Sequence, residues 1–94
     1  MIFVINNLKY DTDKMELISE KCEYSYLSTV FTFQRYRGKN VKLWRSKKNN
    51  WLLTFEKDLC ERCGIYLNDE QVKNLLIRYD IEAYEKIFGE LEEA

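Results

Sequence analysis

The chain has 94 residues with a formal net charge of −1. It is 46% hydrophobic and 15% aromatic, with 33% charged residues and no histidine or proline. That length allows one domain with a modest core, and the apolar content excludes a disordered chain. No apolar run approaches the ~20 residues of a membrane span, and the three cysteines are too few and odd in number for a disulfide framework.

Met1-Ile2-Phe3-Val4-Ile5 is short, apolar and without a basic flank. It reads as a first strand, not as a leader peptide. Asn6-Asn7 forms a tight turn, and Leu8 to Tyr10 returns as a short strand. Asp11-Thr12-Asp13 offers helix caps, with Asp13 and Glu16 spaced as a capping box. Met15, Ile18 and Cys22 then fall at helical spacing on one face, which predicts a short N-terminal helix.

Tyr26 to Arg37 is rich in β-formers and is expected as a strand. Gly38-Lys39-Asn40 reads as a hairpin turn, Val41 to Arg45 as the next strand, and Ser46 to Asn50 as a polar turn. Trp51 to Glu56 completes an antiparallel meander. In the strand Val41 to Arg45, alternation places Lys42 and Trp44 on one face and Val41, Leu43 and Arg45 on the other.

Asn68 and Gln71 have capping-box spacing, and Val72, Leu75, Leu76 and Tyr79 follow the i, i+3, i+4, i+7 pattern of a helix. Asp80 caps a second helix. Ile81, Tyr84, Ile87, Phe88 and Leu91 are expected on its inner side, and Gly89 ends it. The expected fold is one α+β domain over residues 1–94: a meander sheet, two C-terminal helices and one short N-terminal helix.

Cys60-Glu61-Arg62-Cys63-Gly64 has the spacing of a zinc knuckle. Two intervening residues let both thiolates reach one ion, and the following glycine suits a tight turn. Cys22, on the inward helix face, would supply a third sulfur to a structural zinc. Without histidine, the fourth ligand would be a carboxylate, water or another chain. Asp58, Glu61, Glu20 and Glu23 stand nearby in sequence. The competing reading makes all three cysteines small buried hydrophobes.

No catalytic pattern emerges. The commonest general base is absent, and no Gly-rich phosphate loop or nucleophile elbow is present. The reading is therefore a protein without enzymatic activity.

Charge is unevenly distributed. From Gln34 to Asn50 there are seven basic residues and no acid, whereas from Asp80 onward six acids face only Lys86. Asp11, Asp13, Glu16, Glu20 and Glu23 form a further acidic cluster. Such poles favour a charged partner. The basic stretch interleaves Arg35, Arg37, Lys42, Arg45, Lys47 and Lys48 with Tyr36, Trp44 and Trp51, a mixture able to hold nucleic acid. Its simpler reading is a hairpin whose aromatics enter the core while its cations stay wet.

Three groups of segments, in this order, carry a resemblance. They are Lys9-Tyr10-Asp11-Thr12 with Leu17-Ile18; Leu43-Trp44-Arg45-Ser46-Lys47-Lys48 with Trp51-Leu52-Leu53; and Asp80-Ile81-Glu82-Ala83-Tyr84-Glu85 with Phe88-Gly89. Together the chain resembles a family of small proteins carried by phages and mobile elements of Gram-positive bacteria. Some members of that family are similar to anti-CRISPR proteins, which inhibit type II RNA-guided nucleases by direct binding. The resemblance implies a monomeric counter-defence protein in the cytoplasm of a bacterial host, binding a CRISPR effector nuclease and blocking nucleic-acid loading or activation. It supplies no catalytic residues, and the cysteines lie outside its pattern. The acidic residues Asp11, Asp13, Glu16, Glu20, Glu82, Glu85 and Glu90 are the expected contacts, because such nucleases hold nucleic acid in positively charged channels. The alternative is a small nucleic-acid-binding protein using the basic hairpin 35–51.

Overall fold

A computed structural model describes residues 1–27, 35–57 and 61–94. It has α+β architecture, with antiparallel strands and two helices. Strands β1 (Ile2–Ile5) and β2 (Leu8–Asp11) form a hairpin in full register. Asn6 and Asn7 both adopt positive φ, 52° and 63°. That pair of conformations matches the right-handed twist of the flanking strands.

The main sheet has four strands in the order β3-β6-β7-β8: β3 (Glu16–Ser19), β6 (Lys39–Arg45), β7 (Trp51–Glu56) and β8 (Arg62–Leu67). A separate pair, β4 (Ser25–Leu27) and β5 (Arg35–Arg37), lies beside it. Helices α1 (Asp69–Tyr79) and α2 (Ile81–Phe88) close the chain.

Register places Leu43, Leu53 and Ile65 in one row across the sheet, with Arg45, Trp51 and Leu67 in the next. Val41, Leu43, Trp51, Leu53, Phe55 and Leu67 are buried there with Val72 and Leu76 of α1 and Ala83 of α2. The opposite face carries Leu52 and Thr54, both buried, and receives the β1–β2 hairpin. Gly64 marks the contact: a Cβ there would lie 2.9 Å from Cγ and Cδ1 of Phe3. The sheet is thus covered by helices on one side and by the hairpin on the other, and strand alternation sorts residues between the two.

Several expectations hold in place. The strand Trp51 to Glu56 is β7, and the turn Ser46 to Asn50 joins it to β6. The α1 capping box is complete: Gln71 N donates to Asn68 Oδ1 at 2.8 Å, and Asn68 N to Gln71 Oε1 at 2.9 Å. Asp80 caps α2, and Gly89, at φ 102°, ends it.

Four expectations change. The predicted N-terminal helix is absent from its position; Thr12–Lys14 makes one 3-10 turn and Glu16–Ser19 is strand β3. An isolated two-turn helix is marginal, whereas pairing with β6 gains a ladder and sets Glu16 opposite Arg45. Gly38 does not form a hairpin turn. It is packed against Phe55, its N–H donates to Tyr24 O at 2.7 Å, and β6 begins at the next residue. Strand β5 therefore pairs with β4 and not with β6, so the expected meander starts from a different neighbour. Residues 28–34 of the expected strand Tyr26 to Arg37 lie outside the described residues. Finally, Ile81 is 50% exposed and Leu91 41%; the buried side of α2 is formed by Ala83, Tyr84, Ile87 and Phe88.

Candidate functional site

Of the three cysteines, the structure describes Cys22 and Cys63. Cys63 and Gly64 belong to β8, opposite Phe55 and Thr54, and Gly64 has no positive φ. Its lack of a side chain serves close approach to Phe3, not a knuckle turn. Cys60, with Asp58, lies outside the described residues. Cys22 is buried, and its thiol donates to Ser19 Oγ at 3.7 Å. The Ser19 hydroxyl in turn donates to Asp80 Oδ2 at 2.6 Å. Burial pushes the Cys22 thiol pKa up, the Asp80 carboxylate adds to that, and the Ser19 contact offsets part of it. Among the described residues no three Cys, His, Asp or Glu side chains are placed to hold one metal ion. The three-cysteine zinc expectation thus draws no support from them.

The Cys22–Ser19–Asp80 chain has another use. Asp80 Oδ1 also accepts from Ala83 N at 3.2 Å, so one carboxylate caps α2 and clasps it to the end of β3. Ser19 and Cys22 are each only 4% exposed, so the chain presents no open nucleophile. Sequence reasoning found Asp80 as a cap but had no signal for Ser19, which is 61 residues away.

Charge is the second finding. The acidic cluster and the basic stretch are distant in sequence but adjacent in space, because β3 pairs with β6 and β4 with β5. Arg45 Nη2 meets Glu16 Oε2 at 3.0 Å, Lys42 Nζ meets Glu20 Oε1 at 3.8 Å, and Arg37 Nη2 meets Glu23 Oε1 at 3.2 Å. Each exposed pair contributes only about 0–1 kcal/mol to stability. Their larger effect is on the outside field, since opposite charges at contact distance cancel at a distance. Arg45 also lies 5.8 Å from the Trp51 ring centroid. Trp51 itself is buried and donates its indole N–H to Asp69 Oδ1 at 2.8 Å. Trp44 donates to Thr54 Oγ1 at 2.9 Å. Trp51 is therefore committed to the core, whereas Trp44 is half-buried with its indole N–H tied to β7.

The expected acidic contacts separate into groups. Asp11 accepts from Asp13 N at 3.1 Å and belongs with Asp13 and Glu16 to the end of the molecule near the β6–β7 turn. Glu20 is held by Lys42. Glu82, Glu85 and Glu90 instead gather around a shallow depression of about 520 Å³ that also touches Ile18, Lys21 and Lys86. Glu85 accepts from Leu91 N at 3.1 Å. None of Glu82, Glu85, Glu90, Glu92 and Glu93 is within ion-pair distance of a cation among the described residues.

Comparison with protein-family models, with curated proteins and with solved structures finds no match to this chain. No helix among the described residues is long and apolar enough to cross a membrane.

Proposed function

We propose that this chain is a non-catalytic binding module that inhibits a type II RNA-guided nuclease by direct contact. Its contact surface is the acidic face of α2 and the residues that follow it. The observation that supports this reading is selective neutralisation. The acids of β3 and its C-terminal extension are paired internally, whereas Glu82, Glu85, Glu90, Glu92 and Glu93 stand free of ion pairs among the described residues. Carboxylates on a rigid, capped helix can occupy a basic channel that otherwise holds phosphates. The resemblance to phage and mobile-element proteins supplies the class of partner.

The test is a cleavage assay with purified nuclease, guide RNA and target DNA, joined to a pull-down. Stoichiometric inhibition that weakens with salt is expected, and Glu82→Lys with Glu90→Lys should abolish it while leaving the fold intact. No binding and no inhibition across several type II nucleases ends the proposal.

A further inference from the structure

Four lysines of the described structure collect where the sequence alone did not place them. Lys9 of β2 and Lys14 of the 3-10 turn come from one part of the chain, and Lys47 and Lys48 of the β6–β7 turn from another. They line two adjoining depressions of about 590 and 400 Å³ that share Lys14, Met15, Ser46 and Lys47. The two depressions adjoin along these shared residues and together are called the trough. Its apolar surface includes Leu8, which is 49% exposed, and the half-buried Met15.

The trough also contains Arg45, giving five cations, and three carboxylates, Asp11, Asp13 and Glu16. Glu16 is satisfied by Arg45, and Asp11 accepts the Asp13 amide. The four lysines have no carboxylate within ion-pair distance among the described residues. Lys47 and Lys48 also have backbone N–H groups with no acceptor among those residues; the hydrogen bonds of the turn are made by Ser46, Asn49 and Asn50. Free ammonium groups and free amides on one turn are the donors that phosphate oxygens accept from. Leu8 and Met15 in the same lining add apolar surface that suits unstacked bases, which a duplex keeps inside.

We propose that this trough binds single-stranded nucleic acid, its phosphates held by Lys9, Lys14, Lys47 and Lys48. This inference is independent of the nuclease-binding proposal, since the trough is built from the hairpin, the 3-10 turn, the start of β3, the end of β6 and the β6–β7 turn, and includes no residue of α2. It also differs from the use of the whole basic hairpin 35–51, because Arg37, Lys42 and Arg45 are already paired with acids.

The test measures fluorescence anisotropy of a labelled 12-nucleotide oligo-dT with the full chain. Four phosphate contacts give a log–log salt slope near −2.8 at about −0.7 per contact, so affinity should fall about 50-fold between 50 and 200 mM salt. Lys47→Ala with Lys48→Ala should shallow the slope by about 1.4, and Lys9→Ala with Lys14→Ala by the same amount. Lys47→Arg with Lys48→Arg should retain binding, which separates lost charge from lost fold. Asp13→Asn should tighten binding about threefold, the value for one repelling charge removed about 7 Å away in water. Arg35→Ala, outside the trough, should leave the slope unchanged. Absence of binding at 50 mM salt overturns the proposal. So does a slope indifferent to the lysine pairs, equal affinity for a duplex, or equal affinity for polyglutamate of similar length.

Discussion

Gly64→Ala tests the packing of the hairpin on the sheet. The new Cβ would lie 2.9 Å from Cγ and Cδ1 of Phe3 and 3.1 Å from Cε1. Carbon atoms in good contact stand about 3.5–4.0 Å apart, so the ring must retreat by about 0.6–1 Å. Cγ lies on the χ2 axis, so rotation about χ2 does not relieve the clash, and either χ1 or the hairpin backbone has to shift. Overpacking of this kind costs about 1–3 kcal/mol. Against it stands the gain of about 0.5–1 kcal/mol from replacing a strand glycine by alanine, since Gly64 needs no positive φ. The expected net loss is about 0–2.5 kcal/mol, centred on about 1 kcal/mol, measured as a lower urea midpoint with unchanged slope. In a Phe3→Ala background the clash is gone, and Gly64→Ala should become stabilising by about 0.5 kcal/mol. A loss of the same size in both backgrounds refutes the packing argument and returns Gly64 to a conformational role in a turn.

Asp80→Ala removes the α2 cap, worth about 1 kcal/mol, and leaves the buried Ser19 hydroxyl without its acceptor at a further ~1–3 kcal/mol. Thermal unfolding should show a drop of about 2–4 kcal/mol, with Asp80→Asn losing much less. Cys22 should react with iodoacetamide more slowly than the half-exposed Cys63, because it is buried. Its folded pKa is raised above the ordinary 9.0. The stability it contributes is therefore complete below pH 9.0 and lost as pH rises through the folded pKa. Tyr10, raised above 10.0 mainly by burial, acts in the same sense at higher pH. Cys22→Ala should remove the first part of that alkaline decline, read from urea midpoints between pH 8 and 11. Elemental analysis of the same variant should show zinc content unchanged from the parent; loss of zinc with Cys22 would support the three-cysteine site.

The parts legible in the sequence are those governed by neighbours along the chain. Asn6-Asn7 specifies its turn because those residues tolerate left-handed backbone. Asn68 and Gln71 specify a helix start because each can reach the other's backbone N–H across one turn. The Trp51 to Glu56 run, with turn residues before it, could be little but a strand. Less legible were Glu16 to Ser19 and Arg62 to Leu67. The apolar residues near the first also fit a helix, and the second was masked by its Cys-x-x-Cys-Gly pattern. The candidate site was partly visible. Glu82, Glu85 and Glu90 were read as acidic contacts and stand together, but Lys9 and Lys14 gave no sign that they would meet Lys47 and Lys48.

By itself the sequence determined the Asn6-Asn7 and Ser46 to Asn50 turns, the caps of α1 and α2 and the buried side of α1, since these follow from bonding and periodicity within a few residues. Only the tertiary structure decided which charges remain unneutralised. Laying β3 against β6 brings Glu16 and Glu20 to Arg45 and Lys42, and pairing β4 with β5 brings Glu23 to Arg37. Coulomb attraction depends on separation in space, and the residues between partners set that separation only through the fold.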